Sequence, residues 1–146
     1  MKRFQNSTVG LPKLIEAIRL AELDLHPDSE LTGKVLDKND WKYNSGTGKK
    51  VYLQLTEQRQ FVSVYVKKGN PKSAAIGAYS KGVITLYEHY VERATVDDLR
   101  ASLRHEYAHY AGFGHKSGPF GLTSNYKTKD KCLYSVPYWL SEYGRV

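Results

Sequence analysis

His105, Glu106, His109, Gly112 and His115 fall in one eleven-residue window whose types and spacing suit metal chemistry; it reads H-E-x-x-H-x-x-G-F-x-H. On a helix, residues four apart share a face one turn apart, so the imidazoles of His105 and His109 can approach one ion. Histidine nitrogens ligate zinc at roughly 2.0–2.1 Å. Glu106 points into the neighbouring sector, from which a carboxylate reaches a water on the metal without ligating the metal itself. Gly112 tolerates positive φ, so it can end the helix and turn the chain back, carrying His115 towards the same ion as a third ligand. Three protein ligands leave the fourth position to water, the arrangement of a catalytic zinc rather than a structural one. The plain alternative is an amphipathic helix with surface or core histidines. Three of the chain's five histidines lie in this window, and that clustering favours the metal.

The window resembles the zinc signature of the metzincin metallopeptidases, including the small Ala108 before the second histidine and the Gly112-Phe113 pair. The resemblance covers roughly residues 75–140. It implies His105, His109 and His115 as zinc ligands and Glu106 as general base and acid in peptide hydrolysis. Metzincins also place a methionine turn beneath the metal, yet the only methionine here is Met1. Residues 131–138, Lys-Cys-Leu-Tyr-Ser-Val-Pro-Tyr, stand where that turn belongs and resemble it either with Tyr134 in the place of the methionine or as a divergent Ser-Val-Pro-Tyr version. A second resemblance competes for the third ligand. Pro137-Tyr138-Trp139-Leu140-Ser141-Glu142 is similar to the P-x-W-L-x-E segment of gluzincin peptidases, which implies Glu142 in place of His115. The spacing of His115 within the window favours His115.

In mechanistic terms, zinc lowers the pKa of a bound water to about 7, and Glu106 would accept its proton as the water attacks a carbonyl. A tyrosine near the metal could add a hydrogen bond to the oxyanion, with Tyr134 and Tyr138 as candidates. Two other functions remain open on sequence. One is a non-enzymatic, basic, tyrosine-rich binding module that keeps the metallopeptidase fold. The other is an amidase acting on a non-protein amide.

The whole chain bounds these readings. Its 146 residues suffice for one domain with a real core and leave no room for a second, so a single metallopeptidase-like domain over 1–146 is expected. The N-terminus carries basic residues without an apolar run behind them, and nothing approaches the ~20 apolar residues of a membrane span. A cytoplasmic location is the default expectation. Cys132 is the single cysteine, which excludes an internal disulfide and suits a small buried side chain better than a zinc ligand. A net charge of +7 predicts attraction to acidic substrates or surfaces. The lysines and arginines are dispersed, the usual nucleic-acid motifs are missing, and twelve tyrosines are explained as good strand and core formers. The expected partner is a peptide or protein substrate.

The elements that must position the window are legible to different degrees. Thr95 reads as an N-cap, with Asp97 and Asp98 in the first turn. Val96, Leu99, Leu103, Tyr107 and Tyr110 recur at helical spacing, predicting a helix over 96–111 stopped at Gly112. Residues 11–23 predict a helix backing a sheet, with Pro12 in its first turn. Residues 27–48 read as loop, with Leu31 and Val35 available to a strand, and residues 46–48 as a flexible connection. Residues 51–55 and 61–66 alternate and predict a hairpin. Residues 74–79 and 83–87 predict a second pair, turned at 80–82 and leading directly into the metal helix. A strand just before that helix is where, in the resembled family, extended peptide adds to the sheet edge, and Gly77 would allow close backbone approach. The expected fold class is α+β: a small twisted β-sheet backed by a helix, a zinc-binding active-site helix, and a short C-terminal subdomain closing the cleft.

Overall fold

A computed structural model describes residues 2–6, 11–42, 45–58, 60–70, 72, 77–114 and 133–144. Among them lie a four-stranded open mixed sheet and six helices, an α+β architecture. In chain order they are β1 (Phe4–Asn6), α1 (Pro12–Asp24), α2 (Glu30–Asp37), α3 (Gly48–Thr56), β2 (Val62–Lys67), β3 (Gly77–Ser80), β4 (Val83–Tyr87), α4 (Glu88–Arg93), α5 (Val96–Tyr110) and α6 (Val136–Glu142). No described helix is long and apolar enough to cross a membrane.

The sheet runs β1-β2-β4-β3, with the first three strands parallel and β3 antiparallel at one edge. The β3–β4 hairpin turns through Lys81 and Gly82 at φ 47° and 82°. Two successive positive φ values match the right-handed twist of the flanking strands, which is why such tight hairpins favour glycine. The helices cover the sheet face that carries Phe4, Val62, Val64, Ile84 and Leu86, all buried. α5 lies at the centre of the helical layer, against β3 and β4, with α1 on one side and α6 packed most extensively of all.

Several sequence expectations need correction. Residues 51–55 are helical, so no hairpin joins them to β2. Their alternation is incidental: the buried positions of α3 are Gly48, Val51, Leu55 and Thr56, a helical spacing, whereas Leu53 is half-exposed. Thr47 is the N-cap of α3 rather than a flexible link, its hydroxyl accepting from the Lys50 amide at 3.2 Å. A Cβ at Gly48 would collide with the carbonyls of Leu36 and Lys38, so glycine lets α3 start against the end of α2. Residues 30–37, expected as loop or strand, form α2, capped by Ser29 and burying Leu31 and Val35 one turn apart. α4 intervenes between the hairpin and α5. α1 does form, from Pro12, and buries Leu14, Ala17, Ile18 and Ala21, but it packs mainly along α5 and reaches the sheet at β1. The expected strand over 74–79 survives as β3 from Gly77; residues 73–76 lie outside the described residues.

Two buried polar clusters lock the layer together. Asp24, at the end of α1, accepts hydrogen bonds from Arg100 at 2.6 and 2.5 Å and from Arg104 at 2.7 Å. Arg104, 3 % exposed, also donates to the carbonyls of Leu140 and Tyr143, so one guanidinium joins α1, α5 and the C-terminal segment. Arg3, equally buried, donates to the Thr56 carbonyl at 2.7 Å, the Gln58 carbonyl at 3.2 Å and the Tyr107 hydroxyl at 3.3 Å. A cation there complements the negative end of α3 and ties β1 to the back of α5.

Candidate metal centre

α5 begins with a reciprocal cap. The Thr95 hydroxyl accepts from the Asp98 amide at 3.1 Å, and the Asp98 carboxylate accepts from the Thr95 amide at 3.0 Å. This capping box satisfies two amides that the first turn would otherwise leave unpaired. Leu99, Leu103, Tyr107 and Ala108 are buried against the rest of the fold. His105 and His109 share a neighbouring face and are half-buried, as is Glu106 between that face and the Leu99–Leu103 stripe.

The helix ends in a turn with a consequence for His109. Gly112 has φ +103°, its amide donates to the His109 carbonyl at 3.0 Å, and the Phe113 amide donates to the Ala108 carbonyl at 2.9 Å. These paired bonds across a left-handed glycine define a Schellman motif, with buried Phe113 supplying its apolar contact. The reversal brings the Phe113 carbonyl to 2.8 Å from Nδ1 of His109. A carbonyl can only accept, so Nδ1 carries the proton and the lone pair of the neutral ring sits on Nε2. Burial lowers the pKa of His109, the Phe113 hydrogen bond opposing this, so the neutral ligand form is favoured.

The rings of His105 and His109 lie 5.1 Å apart, centroid to centroid, at 71°. His105 also meets the buried Tyr138 of α6, edge to face at 5.2 Å. Of the two tyrosines the sequence offered near the metal, Tyr138 is the one whose ring touches His105. The Tyr134 ring instead lies under two ammonium groups, Lys38 at 5.0 Å and Lys42 at 4.3 Å. Desolvation pushes the Glu106 carboxyl up to about 7. A carboxyl with that proton affinity can both accept and return a proton near neutral pH.

These features fit a zinc ion in part. Two nitrogen donors share one helix face, one with its tautomer set by a carbonyl, as metal-bound histidines commonly have. His115 and Cys132 lie outside the described residues. Among the described residues no three His, Cys, Asp or Glu side chains group as a metal site. His26 and His89 serve elsewhere: the former accepts from the Asp28 amide, the latter stacks on Tyr87.

Sequence reasoning missed the Phe113 carbonyl, although Gly112-Phe113 was the signal for it. It also missed Asp24 and the Arg104 bridge, for which no local pattern exists. The assignment of Gly77 needs revision as well. A Cβ there would meet the Thr85 carbonyl at 2.7 Å, so glycine serves close packing on β4.

Comparison with protein-family models, with curated proteins and with solved structures yields no match for this chain.

Proposed function

We propose that this chain is a zinc-dependent hydrolase of minimal metzincin-like type that cleaves peptide or other amide bonds. The observation that carries the reading is the oriented pair: His105 and His109 on one face, His109 held by the Phe113 carbonyl, and Glu106 desolvated beside them. His105, His109 and His115 would hold the ion. When bound, zinc supplies Lewis-acid polarisation of the scissile carbonyl and acidifies the attacking water.

The chain's own residues supply the proton transfers. Glu106 takes the proton from water as its oxygen attacks the carbonyl carbon, then delivers that proton to the amine nitrogen as the C–N bond breaks. Tyr138 packs against His105 and limits the ring's rotation. In the finer fold reading, α5 is the active-site helix beneath the sheet and α6 closes the cleft. β3 is the open edge for extended substrate. The opposite edge is occupied by α1, whose Glu22 accepts from the Phe4 amide at 3.2 Å.

Glu106→Gln tests the reading. It should abolish hydrolysis of a peptide library while one zinc per chain remains bound. Residual hydrolysis within tenfold of the parent would remove Glu106 from the mechanism.

A further inference from the structure

Among the described residues the helices cover mainly one sheet face; on the other only the Tyr87 end is covered, by His89 of α4. Along β2 this other face shows Ser63, Tyr65 and Lys67, and along β4 Thr85 and Tyr87, none of them buried. Phe61 extends the β2 line and is 48 % exposed; Tyr65 is 45 % exposed. Four residues of strand separate these two rings by roughly 13 Å. Tyr65 stands opposite Thr85 and Lys67 opposite Tyr87, so the two tyrosines are diagonal neighbours. Three lysines border the line. The Lys2 ammonium lies 5.6 Å from the Phe61 ring centre, Lys67 is on the face itself, and Lys81 is at the hairpin tip. No described strand residue on this face is acidic, and none of the three lysines pairs with a described carboxylate. A merely solvated face would mix charges of both signs and would not display two large rings. Self-association is disfavoured by the net charge of +7.

We propose that this face binds single-stranded nucleic acid. Bases stack on Phe61 and Tyr65, and Lys2, Lys67 and Lys81 meet the phosphates. Stacking accepts any base, so the mode needs no sequence-reading motif. The surface lies across the sheet from α5 and is independent of the metal chemistry proposed above.

The test is fluorescence anisotropy of a labelled twelve-residue oligothymidylate with the full chain over a salt series. Binding should fall with salt at a log–log slope of about −2, as three phosphate contacts on a single strand imply. Phe61→Ala and Tyr65→Ala should each weaken binding at least about fivefold, and Tyr65→Phe should restore it. Lys67→Glu should weaken binding as well, whereas Lys49→Glu/Lys50→Glu on α3 should stay within about twofold of the parent. Thermal melting should show each variant folded. No binding at low salt would overturn the proposal, as would equal losses in the α3 variant. Tighter capture of heparin oligosaccharide, unchanged by Tyr65→Ala, would replace it with diffuse attraction to polyanions.

Discussion

Gly112 bears more of the proposed metal site than its missing side chain suggests. Its φ of +103° closes the Schellman turn, and that turn aims the Phe113 carbonyl at His109. A Cβ would meet both the left-handed backbone penalty and Gln54 Nε2 at 2.8 Å. Gly112→Ala should cost about 1–2 kcal/mol of stability in urea unfolding. It should also weaken zinc affinity roughly tenfold, as loss of a histidine's outer hydrogen bond does. Unchanged affinity in a competition titration would show that the carbonyl does not orient the ring. Glu106 makes a second prediction, on the metal-free protein. Its folded pKa of about 7 lies above its ordinary value of 4.5, so the folded state holds the proton more tightly than the unfolded chain. Stability attributable to this residue must then decline as pH rises from 4.5 to 7. Metal-free Glu106→Gln should match the parent in urea midpoint at pH 4.5 and exceed it at pH 8. A parent at least as stable as the variant at pH 8 would contradict the desolvated setting.

At the scale of elements, α5 is a helix that sequence describes almost completely. Its cap, its acidic first turn, its buried stripe and its glycine stop are all local signals, and all match the structure. The same local logic failed for α2 and α3. Gly33 and Gly48 depress helix propensity, and Val51, Leu53 and Leu55 alternate like a strand. What decides for helix is tertiary: Leu31, Val35, Val51 and Leu55 are buried, and the two helices pack on each other. The joint between α1, α5 and α6 was not legible at all, because Asp24 lies 76 and 80 residues from the arginines it binds. Asp24→Ala would remove the buried carboxylate that Arg100 and Arg104 share. The expected cost is about 3–5 kcal/mol, read from chemical denaturation. A loss under about 1 kcal/mol would mean that the carbonyls of Leu140 and Tyr143 suffice for Arg104.

For the whole molecule, α5 is held by β1, α3, α1 and α6, and its His105, Glu106 and His109 stay half-buried. Arg3 and Tyr107 fasten its back to β1 and α3, Asp24 fastens it to α1, and Tyr138 fastens α6 against His105. The candidate site was readable in sequence because its residues are local: His105, Glu106 and His109 fall within two turns. The identity of the aromatic against His105 was not, since Tyr134 and Tyr138 stand four residues apart on either side of the extended Ser135 and only the packing of α6 chooses between them. The central claim, that this arrangement holds zinc, is tested most directly by elemental analysis of the purified parent beside His105→Ala and His109→Ala. One zinc per chain in the parent and none in either variant is the predicted result. A parent that takes up no zinc after reconstitution, or a variant that keeps it stoichiometrically, would contradict the account.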